Sequence, residues 1–259
     1  MSKDLRHLAV TRAGAVATIT LDRPPVNAVD LQVIDDFLRA VEDVGADRTV
    51  RAVIVTGRER RFCAGADIGM LQDLSPENQA RARRWVDVQA ALEAMEKPVV
   101  AAINGYALGG GAELALACDV RLMARGAEIG FPEIRLGFFP GAGGTQRLTR
   151  LLGPARALRL MMEGRRLGAD EAHALGLVDE VVPADLLQQT ARDVAERLAA
   201  GPTRAIGLLK RCVYQGYGRP LHEGLALEAE AVSELIRTAD AREGIDAFLA
   251  KRAPRFTGA

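Results

Sequence analysis

The spacing of apolar residues changes along the chain, and the changes divide it into elements. Residues 8 to 21 are rich in strand formers and are interrupted at Gly14, which predicts a hairpin. Asp22-Arg23-Pro24-Pro25 closes its second strand, because proline has no N–H to give to a ladder. Val33, Ile34, Phe37, Leu38 and Val41 then recur every three to four residues, predicting a helix to about Val44 capped by Asp30. RAVIVT (51–56) and VVAAIN (99–104) carry apolar stretches of strand length, as expected inside a sheet covered on both faces. A helical stretch from Pro76 to Met95 separates them, and Pro98 ends it. ELALAC (113–118) reads as a helix and residues 120 to 123 as a further strand. Beyond Gly141 the pattern is mostly helical, punctuated by glycines and prolines. Strand–helix alternation followed by a helix-rich last hundred residues predicts an α/β fold with a helical C-terminal region.

Composition narrows the function. The chain has 259 residues, 49% apolar and 26% charged, enough for one substantial core. Basic and acidic residues balance at 34 each, so no net field draws it to nucleic acid or an anionic membrane. No apolar run reaches the roughly 18–20 residues of a membrane span, and the opening MSKDLRHLAV lacks a signal pattern. A cytoplasmic protein is expected. Cys63, Cys118 and Cys212 are few, unpaired by spacing and expected to be reduced.

Several chemistries are absent from the sequence. None of the three serines stands in GxSxG, and the three histidines form no zinc pattern. There is no P-loop, and GAGGTQ (141–146) lacks the last glycine of a dinucleotide fingerprint. Carboxylates and backbone amides are left to carry any chemistry. In NGYALGGGAELALACD (104–119) a strand enters three glycines and then a helix, whose free N-terminal amides could hold developing negative charge. A tightly packed glycine turn is the alternative reading. Glu113 stands in the first turn of that helix, either as an acid/base group or as a favourable dipole charge. Glu133, after Pro132, has Phe131, Ile134, Phe138 and Phe139 around it in sequence, a setting that would raise a carboxyl pKa. RFCAGADI (61–68) is a loop of small residues with accessible amides, and Asp67 could cap the helix after it.

Taken in order, FCAGADI, KPVVAAINGYALGGGAELALACD, GFPEIRLGFFPGAGGTQRLTRLLG, GRRLGADEAHALGLVDEVVP and EGIDAFLAKRAPRF closely resemble the crotonase (enoyl-CoA hydratase/isomerase) superfamily over nearly the whole chain. The resemblance implies a spiral of ββα repeats over residues 1–200 and a helical trimerisation region over 201–259, giving a trimer or a hexamer as a dimer of trimers. It implies an acyl-CoA thioester substrate, with coenzyme A entering as part of it, and no metal or separate cofactor. By motif position the oxyanion hole is the amides of Ala66 and Gly110, and the carboxyl pair of a hydratase is Glu113 and Glu133. Adenine contacts fall around Ala64, Ala66 and Ile68, with Phe248 and Lys251 supplied by a neighbouring subunit. Many hydratases carry lysine after ADI where this chain has Gly69, which puts one phosphate contact in doubt. Trp85, Phe138 and Phe139 are candidates to line the acyl pocket. Two rival readings are a double-bond isomerase or a branched or dicarboxylic hydratase on the same scaffold. A third, RNA binding through Arg81, Arg83 and Arg84, is set against zero net charge.

Overall fold

The expected hairpin is present as β1 (Leu8–Ala13) and β2 (Val16–Leu21), antiparallel with Ala13 opposite Val16. The structure is a computed structural model that describes residues 5–73 and 75–259. Helix α1 (Leu31–Ala46) begins at Asp30, whose carboxylate accepts the Val33 N–H at 2.8 Å, the cap its sequence called for. It buries Val33, Ile34, Phe37 and Val41 on one face. The two apolar runs form β3 (Ala52–Gly57) and β4 (Val99–Ile103), every residue buried.

Between them lie α2 (Ile68–Gln72), α3 (Pro76–Arg83) and α4 (Trp85–Ala94). The single helix expected over 76–95 is therefore two. The chain turns at Arg84, whose N–H bonds to the Arg81 carbonyl at 3.1 Å in a tightened last turn. After β4 come β5 (Tyr106–Leu108), α5 (Gly110–Leu116), β6 (Val120–Ala124) and β7 (Glu128–Gly130). A 3₁₀ turn (Pro132–Leu136) leads to α6 (Gly144–Leu152) and α7 (Pro154–Glu163), then β8 (Arg166–Gly168), α8 (Ala169–Ala174), β9 (Glu180–Val182) and α9 (Leu187–Ala199).

The order of the strands reveals a spiral. One sheet runs β1-β2-β3-β4-β6-β9, parallel from β2 onward, and a smaller one runs β5-β7-β8. Each turn of chain adds one strand to the first sheet and a three-residue strand to the second: β4 with β5, β6 with β7, β9 with β8. The turn at β3 adds a single bridge, Cys63 to Ala107. Helix α9 lies across β2, β3, β4 and β6 and closes one face.

Helices α10 (Thr203–Gly216), α11 (Leu221–Leu235) and α12 (Ala239–Leu249) follow. Buried Lys210 ties α10 to the core through the Leu92 and Lys97 carbonyls and Asp119 Oδ2 at 2.7 Å, while Tyr214 donates to Asp119 Oδ1. Buried Lys97 closes the end of α1 by donating to the carbonyls of Val44, Gly45 and Asp47. Arg51, at the start of β3, reaches Thr203 and the Phe256 carbonyl. These helices leave Leu209, Leu221, Ile236, Ile245, Phe248 and Leu249 largely exposed. No helix among the described residues is long and apolar enough to cross a membrane.

Candidate active site

Three loops meet where the two sheets diverge. The 63–66 loop is laced to β5, with the Cys63 N–H on the Tyr106 carbonyl at 2.8 Å and the Leu108 N–H on the Cys63 carbonyl at 3.0 Å. Gly65 permits this approach. Its φ is +94°, and a Cβ there would lie 2.7 Å from the Leu108 oxygen and 3.3 Å from the Gly110 nitrogen. Ala66 follows, exposed, and Gly110 opens α5. Neither N–H has an acceptor among the described residues; for Gly110 this follows from its place as the first residue of a helix. The chain enters α5 through Gly109 at φ +52°, whose own N–H is tied to the Gly130 carbonyl at 2.9 Å.

Glu113 is 2% exposed. Its Oε1 accepts two amides, from Ala142 and Gly144, each at 2.8 Å. These come from the GAGGT loop and the start of α6, a helix N-terminus gripping an anion. Burial pushes the Glu113 pKa up, while the two amides and the positive charge of Arg147 pull it back.

Glu133 stands in the 3₁₀ turn rather than in an α-helix. Its Oε1 lies against Gly109, 2.9 Å from where a Cβ would be, and its Oε2 is buried with no donor among the described residues. Burial holds its pKa up at about 7, and the charge of Glu113 adds to the effect. The aromatic setting expected for it is only partly there. Phe131 is buried, but Ile134, Phe138 and Phe139 are exposed, and the Glu133 carboxyl lies against the β5–α5 turn at Gly109.

The sequence-derived residues thus converge in part. The 65–66 loop lies against Gly110, Glu133 lies against Gly109, and Glu133 feels the charge of Glu113. Ala66, Gly110, Glu113 and Glu133 are therefore neighbours, with Ala64 and exposed Ile68 on the same loop as Ala66. Asp67 caps α2 by accepting the Gly69 N–H at 2.8 Å and also pairs with Arg23. Phe248 is 82% exposed on α12, and Lys251 follows that helix; no hydrogen bond or ion pair joins either to these residues in the chain. Trp85 is buried, edge-on to Phe37, and donates to the Gly110 carbonyl at 3.1 Å. Arg81 and Arg84 each pair with Asp35, which neutralises much of that basic cluster. That the 141–146 glycines serve Glu113 is not legible in the sequence. Paired glycines before a helix were the available signal.

Spiral winding, paired strands and two carboxyls beside unpaired loop amides together define a protein of the crotonase fold class. Residues 11–259 match the family model for enoyl-CoA hydratase/isomerase. A probable enoyl-CoA hydratase of Mycobacterium bovis is 41% identical over 251 residues, 96% of this chain and 97% of that protein. The 2,3-dehydroadipyl-CoA hydratase of Escherichia coli is 39% identical over 258 residues, 98% of this chain and 100% of the relative. The crystal structure of enoyl-CoA hydratase from Bacillus anthracis superposes with a TM-score of 0.93 at 38% identity, covering 98% of this chain and 100% of that one. The chain belongs to the enoyl-CoA hydratase/isomerase family.

Proposed function

We propose that the protein hydrates a trans-2-enoyl-CoA to the 3-hydroxyacyl-CoA. The observation that carries this is the carboxyl pair: Glu113 pinned by two amides beside a cation, and Glu133 held near neutral pKa with a free oxygen. Water between them gives a proton to Glu113 as its oxygen attacks C3. Charge moves to the thioester oxygen, where the Ala66 and Gly110 amides stabilise it. Glu133 then delivers a proton to C2, so that the elements of water are added across the double bond. Because the two carboxyls interact, their titration belongs to the pair. The chemistry asks for no metal or separate cofactor, and coenzyme A enters with the substrate.

In this reading Ala64, Ala66 and Ile68 border the adenine of coenzyme A, and Phe248 and Lys251 reach it from a neighbouring subunit. The exposed apolar residues of α10–α12 support assembly of residues 201–259 into a trimer or hexamer. A cytoplasmic location fits the same reading. The E. coli relative's name favours a second substrate class, dicarboxylic enoyl-CoA.

The test is incubation with crotonyl-CoA and with 2,3-dehydroadipyl-CoA, following loss of enoyl-thioester absorbance and gain of one water by mass, beside Glu133→Gln. Hydration lost by about 10²–10⁴-fold in the variant is the expected result. A folded protein that hydrates neither, or isomerises 3-enoyl-CoA instead, refutes the proposal.

A further inference from the structure

Helix α4 presents Trp85, Gln89 and Glu93 at intervals of four residues, one face of a helix. All three act on the loops around the carboxyl pair. Trp85 holds the Gly110 carbonyl. Gln89 Oε1 accepts Arg147 Nη1 at 2.7 Å. Glu93 takes the guanidinium with both oxygens, at 2.6 Å from Nε and 2.8 Å from Nη2. Arg147 stands under the glycine loop: its Nη1 donates to the Ala142 carbonyl at 3.3 Å, and a Cβ on Gly143 would fall 1.9 Å from it. Ala142 is therefore gripped on both sides, its N–H by Glu113 and its carbonyl by Arg147.

We propose that Arg147, seated on Gln89 and Glu93, is a positioning residue that fixes the 142–144 loop and through it Glu113. The inference rests on Glu113 being the base of the proposed reaction. Gln89 argues that the seat serves Arg147. It is fully buried, and its Nε2 has no acceptor among the described residues, a state that costs about 1–3 kcal/mol. A leucine there would avoid that cost, so the advantage of glutamine lies in its oxygen. The charge acting on Glu113 from α6 is Arg147, and Glu133 of the 3₁₀ turn interacts with it by charge. Glu93 of α4 is paired with Arg147, and β5 carries only the exposed Tyr106 as a titratable group.

The experiment is the pH dependence of kcat and KM on crotonyl-CoA for Arg147→Met, Arg147→Lys and Glu93→Gln/Arg147→Met, beside Glu113→Gln. Arg147→Met is expected to lose about 10–100-fold in kcat with KM within about twofold. Its acid limb moves to higher pH, because the lost cation no longer favours ionised Glu113. Lysine keeps the charge and loses the fork, so it restores the limb and only part of kcat. The double variant leaves no carboxylate unpaired, so a folding defect in the single variant does not decide the matter. Parental kcat and an unmoved acid limb in the double variant overturn the clamp. A Glu113→Gln protein at parental rate overturns instead the reading on which it rests. Titration of the Glu113 carboxyl by ¹³C NMR in the free protein needs no substrate: a midpoint unchanged in Arg147→Met also overturns the clamp.

Discussion

Glu133→Gln should stabilise the protein while silencing it, and only above a defined pH. The ordinary carboxyl pKa of 4.5 rises to about 7 in the folded chain. A raised carboxyl pKa means the folded state binds a proton more tightly than the unfolded state, so stability falls as pH rises from 4.5 to about 7 and is level beyond it. The gap of about 2.5 pH units corresponds to about 3 kcal/mol. Glu133 is only partly buried, and solvent screening reduces this to about 2 kcal/mol. Glutamine mimics the protonated carboxyl and escapes the penalty. Urea unfolding of parent and variant at pH 5, 7 and 9 should therefore give curves that differ at pH 5 by only about a quarter of the full effect. They should separate by roughly nine-tenths of the full effect at pH 7 and by about 2 kcal/mol at pH 9. The variant's activity should be about 10²–10⁴-fold lower up to pH 7, with the gap narrowing above it as the parent loses protonated Glu133. A stability difference independent of pH would refute the argument that desolvation of an ionisable Glu133 sets its pKa.

Other consequences can be checked separately. The kcat/KM for hydration should decline above about pH 7 as protonated Glu133 is lost; initial rates flat from pH 6 to 9 would remove it as the acid. Gly144→Ala places a Cβ 2.6 Å from that of Pro140 and 2.9 Å from Glu113 Oε1, so about 100-fold of activity should go with circular dichroism unchanged. Lys210→Met strands Asp119 beneath α10 and should cost about 3 kcal/mol or more in urea unfolding. Phe248→Asp with Leu249→Asp puts charge on the exposed face of α12, and light scattering should report a smaller particle than the parent forms.

How much the sequence disclosed depended on segment length. The helix capped at Asp30, the runs that became β3 and β4, and the triplet before Glu113 were all readable, because each pattern extends over many residues. Strands β5, β7, β8 and β9 have three residues each, too few for a period of two to show. They nevertheless decide where the site forms, since β5 anchors the 63–66 loop. Glu113 and Glu133 are legible from motif and helix-start position, and so is the raised pKa of Glu133, whose leading cause is desolvation; the amides that oppose burial at Glu113 are not. The amides of 142 and 144 reach Glu113 from about thirty positions away. Gln89, Glu93 and Arg147 went unnoticed because an ordinary helix surface also carries such residues at such spacing.

The interior placement of Lys97 and Lys210 also alters how the molecule reacts. Acyl thioesters transfer their acyl group to free amines without any catalyst. The chain holds only four lysines against thirty arginines, and guanidinium stays protonated and so offers no nucleophilic nitrogen. Lys3 lies outside the described residues, and Lys97 and Lys210 keep their nitrogens enclosed by carbonyls and a carboxylate. Among the described residues that leaves Lys251 as the amine facing solvent. A protein that works among activated acyl groups therefore gives them little to modify, and the residues that fasten its helices are among those placed beyond their reach.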